Sequence, residues 1–222
     1  MSTIAIIQSR MTSERYPGKM LAPFLGKPVL AHIVERIKLS KVNPKIILAT
    51  SENYTDDPLA LYAEYLGIEV VRGPHNDVVS RFIKTLKKFK CESFFRVCGD
   101  SPLLLSLLFD RAAYIFSQAD YDLVTNVFPR TFPMGMSIEL IKTKTFIQTE
   151  KKITDIKDRE HITKYFYAKY KKFKIFNIEC TKPSSSKLKL SLDKIDDLKK
   201  LEEWDQKKNK DYEKIFPIIK TK

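Results

Sequence analysis

Ile4-Ala5-Ile6-Ile7 is a continuous apolar run, the pattern of a strand covered on both faces. A polar loop from Gln8 to about Lys27 follows. Pro28 then opens a helical pattern with Val29, Leu30, Ile33, Val34 and Ile37 on one side, proline being well placed in a first turn. Ile46 to Thr50 predicts a second buried strand, Leu59 to Leu66 a helix stopped by Gly67, and Ile68 to Val71 a third strand. Asp77 to Phe89 predicts a helix with Val78, Phe82, Ile83 and Leu86 inward. Phe94 to Cys98 predicts a fourth strand, Leu103 to Phe116 a helix, and Leu123 to Thr125 a short strand. Strand and helix alternating through short loops argue for an α/β fold, a mainly parallel sheet with helices on both faces.

The regularity weakens after about Asn126. Met136 to Ile141 and Phe173 to Ile178 are expected as strands and Asp158 to Lys169 as a helix. Pro183 to Ser186 reads as a polar turn, Leu188 to Leu192 alternates like a half-exposed edge strand, and Ile195 to Trp204 is helical. A length of 222 residues suits one domain, 1–222, with a small appended lobe at about 131–180.

Composition changes this picture little. Apolar residues make up 43% and charged residues 30%, as in soluble globular proteins. There is no apolar run of membrane-spanning length and no signal-peptide pattern, so a cytoplasmic protein without membrane contact is expected. Cys91, Cys98 and Cys180 fit neither a disulfide framework nor a zinc site, and Cys98 reads as a small buried hydrophobe. The net charge of +13 raises the question of nucleic acid. The excess is carried by scattered lysines such as Lys87-Lys88, Lys171-Lys172 and Lys207-Lys208 rather than by one basic stripe, which favours a solvated surface.

Ligands of open parallel sheets gather at the carboxyl ends of the strands. The loop there, Gln8 to Lys19, is long and carries Arg10, Arg15 and Lys19 with hydroxyls at Ser9, Thr12 and Ser13. Cations and backbone amides at a strand end suit a triphosphate, although the loop is neither a Walker A motif nor a dinucleotide fingerprint. Asp100 lies at the carboxyl end of the fourth strand behind Gly99. It reads either as a Mg²⁺ ligand bridging to phosphates or as a cap of the next helix. Asp193, ending the last strand-like run, has the same two readings, while Asp196 and Asp197 read as first-turn residues facing the helix dipole.

The run IIQSRMTSERYPGKMLAPFLGKPVLAHIVERI resembles the opening of the cytidylyltransferases that activate acidic sugars, the acylneuraminate and 3-deoxy-manno-octulosonate enzymes among them. The likeness is strongest to the branch called spore-coat polysaccharide biosynthesis protein SpsF. RGPHNDVVSRF, RVCGDSPLL, NVFPRTFPMGMSIELI, DREHIT and SLDKIDDL resemble later blocks. The resemblance implies a Rossmann-like three-layer nucleotidyltransferase fold, with CTP and a sugar as substrates, Mg²⁺ as cofactor and a homodimer as assembly. It implies that Arg10, Arg15 and Lys19 hold the phosphates, with Gln8 and Ser9 as further nucleotide-binding residues, that Arg72, Asn76 and Asp77 help hold base and ribose, and that Asp100 and Asp193 hold the metal. Arg10, Lys19 and Asp100 are then the catalytic group.

Candidates for the sugar site are Arg130 in a proline-rigid loop, Glu139 in an alternating run, and Arg159, Glu160 and His161 of DREHIT. Glu139 read blandly is an exposed strand residue and His161 a structural histidine. Gln8-Ser9-Arg10 replaces the proline-alanine-arginine of the acylneuraminate enzymes, which favours the SpsF branch. The competing readings are a nucleotidyltransferase with another nucleotide or acceptor, a nucleic-acid-binding module, and a catalytically silent nucleotide binder.

Overall fold

The computed structural model describes residues 2–182, 186–207 and 212–218. Strands β1 (Thr3–Gln8), β4 (Lys45–Ser51), β5 (Glu69–Gly73) and β6 (Ser93–Cys98) are parallel, in the spatial order β5-β4-β1-β6. The sheet continues through β8 (Glu139–Lys142), antiparallel to both β6 and β7 (Leu123–Thr125), and ends with β9 (Ile175–Asn177), parallel to β7. β8 and β9 therefore belong to the main sheet, although both fall within residues 131–180. A two-residue hairpin, β2 (Pro23–Phe24) and β3 (Lys27–Pro28), turns through Leu25 and Gly26, both with positive φ.

The alternation inside β1 divides the core. Ala5 and Ile7 face a layer with α1 (Val29–Lys38), α2 (Asp57–Tyr65) and α4 (Ser106–Gln118). Ile4 and Ile6 face the layer of α3 (Val78–Lys88), α5 (Thr143–Glu150) and Phe166. This is the three-layer, mainly parallel architecture expected. Gly67, at φ +71°, follows α2 as its stop.

Several expectations are corrected. Asp158 to Lys169 is not one helix: α6 (Ile156–Glu160) and α7 (Lys164–Ala168) are separated by His161, whose non-helical ψ of 76° ends α6. Leu188 to Leu192 forms no strand. It meets its neighbours at one bridge, Met134 to Lys189, and Leu192 N–H then donates to the carbonyl of Asp100 at 2.7 Å. Gly135 permits the close approach of this segment beside Met134, since a Cβ there would lie 2.2 Å from the Leu190 carbonyl oxygen. The helix expected from Leu103 begins at Ser106, because Leu103 to Leu105 plug the core as an irregular buried segment. α8 (Ile195–Lys207) and the short α9 (Tyr212–Ile215) close the described chain. The turn read at Pro183 to Ser186 lies outside the described residues for its first three positions. Among the described residues no helix is long and apolar enough to cross a membrane.

Candidate active site

The loop after β1 is held by a carboxylate that the sequence pattern does not mark out. Asp56 is fully buried and accepts hydrogen bonds from Met11 N–H at 2.7 Å, Thr50 Oγ1 at 2.8 Å, and Ser51 N–H and Oγ at 3.0 and 2.5 Å. Burial alone would raise its pKa. The hydrogen bonds from Ser51, Met11 and Thr50 outweigh burial and hold the carboxyl below its usual range. Gly18, at φ +74°, closes the loop by donating its N–H to the Met11 carbonyl at 2.8 Å.

The tips of β1 and β6 are adjacent, as the expected chemistry requires. Gln8 and Cys98 are register partners, and Gly99 N–H donates to the Gln8 carbonyl at 3.0 Å. A Cβ on Gly99 would stand 2.6 Å from Ser9 Oγ, so only glycine lets the two turns come this close. Between them opens a cleft of about 430 Å³ lined by Gln8, Ser9, Arg10, Arg15, Lys19 and Asp100, and by Glu160 and His161 from α6 and the turn after it.

Each cation of the loop already has a protein acceptor. Arg10 pairs with Glu160 at 3.1 Å, Arg15 with Asp193 at 3.0 Å, and Lys19 Nζ donates to the Leu192 carbonyl at 2.8 Å. The last two contacts, with the Leu192–Asp100 bond, bring Asp193 beside the Asp100 turn. Asp193 is not a lining residue of the cleft; its second oxygen pairs with Lys189 at 3.1 Å. Asp197 holds this turn rather than simply facing the helix dipole. It accepts from Asp193 and Lys194 N–H, each at 2.9 Å, and from Lys189 Nζ at 2.7 Å. Burial opposes its charge, but these bonds from Lys189, Lys194 and Asp193 win and lower its pKa to about 2.

Among the described residues no three His, Cys, Asp or Glu side chains group as metal ligands. Asp100, and Asp193 on the adjoining turn if released from Arg15 and Lys189, are the carboxylates that could hold Mg²⁺, which takes one or two carboxylates and fills its shell with phosphate oxygens and water. Asp100 also accepts from Ser101 Oγ at 2.9 Å.

The base-and-ribose candidates scatter. Arg72 points away from the cleft, donating to the Ser51 and Asn53 carbonyls and pairing with Asp57 at 2.6 Å. Asp77 caps α3 through Ser80 N–H and pairs with Arg159 at 2.8 Å. Arg159 also bonds Ile153 O, Ser80 Oγ and Glu150, so it fastens α6 to α3 and α5 instead of facing a cavity. Asn76 is exposed on the turn before α3.

A second cavity, about 440 Å³, adjoins the first and is lined by Arg130, Glu139, His161, Lys164 and Tyr167 among others. Arg96 and His161 line both. Arg130 donates to the Pro133 carbonyl and to Ser137 Oγ, and burial lowers its pKa. Glu139 is not exposed. It sits opposite Arg96 across β6 and β8, pairs with it at 2.5 Å, and accepts from the Tyr167 hydroxyl at 2.5 Å. Burial, then the neighbouring Glu139, raises the Tyr167 pKa well above 10, so Tyr167 stays a donor.

Two cleft residues, Arg96 and Arg81, were not singled out from sequence, and a third, Cys98, reads there as a buried hydrophobe. Arg96 is the charged residue in the apolar run of β6. Cys98 lines the cleft rather than the core, and burial raises its thiol to about 11, which keeps it protonated at neutral pH. Arg81 is 2% exposed, and its Nε and Nη1 are buried without hydrogen-bond partners. Burial first, then the nearby Arg10 charge, pushes its pKa down to about 10. The side chain remains a cation, and a buried cation of this kind is costly until an anion or carbonyl meets it.

The family model described as Cytidylyltransferase matches residues 4–216. The chain belongs to the cytidylyltransferase family. A member from Leptospira borgpetersenii has a solved structure that superposes with a TM-score of 0.88 at 31% identity, covering 93% of this chain and 87% of that one. The spore coat polysaccharide biosynthesis protein SpsF of Bacillus subtilis is 32% identical over 168 residues, 72% of this chain and 68% of that protein. An uncharacterised Methanocaldococcus jannaschii protein, MJ1063, is 30% identical over 200 residues, 90% of this chain and 81% of its own length. As a cytidylyltransferase the chain is an enzyme, and the cleft at the β1 and β6 tips is its candidate active site.

Proposed function

We propose that this cytidylyltransferase transfers CMP from CTP to a hydroxyl of a carboxylate-bearing sugar and releases pyrophosphate. The observation that carries the reading is the junction of two cavities at the β1 and β6 tips. One is rich in cations beside Asp100, and the other is lined by Arg96, Arg130, Lys164 and Glu139. CTP phosphates in the first cavity would take over Arg10, Arg15 and Lys19 from Glu160, Asp193 and Leu192, and Arg81 would meet an oxygen of the nucleotide. The acceptor would lie in the second cavity, where three cations face one carboxylate.

The sugar hydroxyl attacks the α-phosphorus; a new P–O bond forms, the bond to the β-phosphate oxygen breaks, and the hydroxyl proton passes to solvent. Such chemistry asks for positioning and charge neutralisation more than for a protein nucleophile. Asp100, with Asp193 once Arg15 has turned to the phosphates, would hold Mg²⁺, which when bound polarises the α-phosphate. Arg10 and Lys19 would hold the leaving pyrophosphate. Cytoplasmic work on a surface polysaccharide, as a homodimer through the exposed aromatics Phe128 and Tyr170, completes the reading.

The test is pyrophosphate release from each of the four nucleoside triphosphates, with and without 3-deoxy-manno-octulosonate, N-acetylneuraminate, glucuronate and mannose. Release with CTP and an acid sugar, dependent on Mg²⁺, is expected. Equal release from all four triphosphates, or none with any sugar, overturns the proposal.

A further inference from the structure

Arg96 stands where neither packing nor sheet pairing needs a charge. Its neighbours Phe95 and Val97 are buried core residues, and its register partner on β1 is Ile6. Its side chain is 12% exposed and that of Glu139 is 3% exposed. A buried ion pair of this kind stabilises a fold no better than apolar residues of the same volume. The chain nevertheless builds a network around it. Arg96 Nε donates to Gln8 Oε1 at 3.2 Å and Nη1 to Glu139 Oε2. The other Glu139 oxygen takes the Tyr167 hydroxyl, which also meets Thr125 Oγ1 at 2.9 Å. The network fixes the plane of the guanidinium while using two of the five N–H donors that an arginine carries. Arg96 is also part of the wall of both cavities, at the place where the phosphoryl group must pass from nucleotide to acceptor.

We propose that Arg96 is the specificity-determining residue for the acceptor: its remaining N–H groups bind an oxygen anion of the sugar and set the attacking hydroxyl against the nucleotide. Glu139 and Tyr167 act through it as positioning residues. The inference rests on the two-cavity reading of the proposed function. It adds that the acceptor is gripped from the sheet itself, and that the Arg130 loop supplies a second cation rather than the main one. A planar fork matters here, because lysine supplies the charge without the paired donors that match a carboxylate.

The experiment uses the full chain and, as acceptor, whichever of 3-deoxy-manno-octulosonate, N-acetylneuraminate, glucuronate and mannose the unaltered protein turns over fastest. Arg96→Lys, Tyr167→Phe and the double variant Arg96→Met/Glu139→Leu are compared for thermal melting, CTP affinity by calorimetry, and KM and kcat. The double variant replaces the whole ion pair by apolar volume, so its melting point stays near that of the unaltered protein. All three are expected to bind CTP within about 3-fold of it. The acceptor KM should rise about 10- to 100-fold in Arg96→Lys, the loss of charge-assisted hydrogen bonds, and less in Tyr167→Phe. The double variant should lose more turnover than either. An acceptor KM and kcat unchanged in Arg96→Lys, with CTP binding intact, overturns the inference and leaves the proposed function standing. An unaltered protein that turns over none of the sugars overturns both. A melting change in Tyr167→Phe with no change in acceptor KM reduces the network to a structural one and also overturns it.

Discussion

Replacing Arg81 with methionine should make the free protein more stable and the nucleotide complex weaker. In the structure the Arg81 guanidinium is enclosed with two nitrogens unpaired, and Arg10 lies close enough to repel it. A pKa held down from 12.5 to about 10 corresponds to a cost of keeping the charge there, on the order of the shift. At about 1.36 kcal/mol per pKa unit it amounts to about 3 kcal/mol. The stem of the side chain packs tightly, its Cγ standing where a Cβ on Gly73 would be 2.9 Å away. Methionine keeps that stem and its contacts, so most of the electrostatic gain survives the substitution. For a chain of this size 1 kcal/mol moves the melting temperature by about 2–4 °C, so Arg81→Met should melt about 5 °C or more above the unaltered protein.

Nucleotide binding should move the opposite way. If an oxygen of CTP meets Arg81, losing one charge-assisted hydrogen bond removes about 1.5–3 kcal/mol of binding, a weakening of about 10- to 150-fold. Thermal melting with and without CTP, together with calorimetric titration of CTP, measures both effects on one sample. Added CTP should then raise the melting temperature of the unaltered protein far more than that of the variant. A variant that melts lower than the unaltered protein and binds CTP as tightly would refute the reasoning, since Arg81 would then be an ordinary packing residue.

The remaining expectations concern the loop, the metal and the Asp193 turn. Asp100→Asn should abolish Mg²⁺-dependent pyrophosphate release while the circular dichroism spectrum and melting temperature stay near those of the unaltered protein; unchanged turnover removes Asp100 from the mechanism. Glu160→Gln frees Arg10 from a half-exposed ion pair worth about 0.2–1 kcal/mol, so CTP should bind up to about 5-fold more tightly, an advantage that shrinks as salt is raised. Asp197→Ala should cost about 1 kcal/mol at neutral pH, as loss of a helix-end cap does. Because folding lowers the Asp197 pKa from 3.8 to about 2, its contribution is complete above pH 4 and is lost as pH falls towards 2. Acid titration of melting temperature should therefore show less pH dependence in the variant across that window. Asp56→Asn should destabilise by about 2 kcal/mol, since an amide cannot accept all the bonds that the carboxylate takes, and should weaken CTP binding with it.

The parts of the site that neighbouring residues define are legible in the sequence alone. Arg10, Arg15 and Lys19 share one loop after one buried strand, and Asp100 ends another. The order of strands in an open α/β sheet then puts such tips side by side. What is not legible depends on which distant residue a charge meets. Arg159 and Asp77 have the composition of ligands, but they satisfy each other across α6 and α3. Arg72 does the same with Asp57. Asp193 is brought beside the Asp100 turn by the Leu192–Asp100 backbone bond with the Arg15 and Lys19 contacts, in a segment whose alternating sequence suggests a strand. Two signals are nevertheless present. Arg81 lies three residues after Val78 and four before Thr85, on the buried stripe of α3, and Arg96 interrupts an apolar strand. A charge at a core position of a periodic pattern is the mark to look for, because the fold gains nothing from it unless a partner or a ligand meets it.

The cations of this cleft are accordingly of two kinds. Arg10, Arg15 and Lys19 have protein acceptors in the free enzyme, so a triphosphate gains from them only the difference between its oxygens and Glu160, Asp193 or the Leu192 carbonyl. Such an exchange can be reversible, which an enzyme that must release pyrophosphate requires. Arg81 has no protein acceptor at Nε and Nη1, so an oxygen that meets it offsets a burial cost that Asp56, Asp77 and Glu160 only partly relieve. Affinity for the substrate should then reside mainly in Arg81, and release of the product in the exchangeable loop. Charge removal at Arg15 should accordingly weaken CTP less than loss of Arg81 does, even though Arg15 lies in the motif that carries the family resemblance. Calorimetric titration of CTP into Arg15→Gln and Arg81→Met decides the order, and a larger loss in Arg15→Gln would show the division to be wrong.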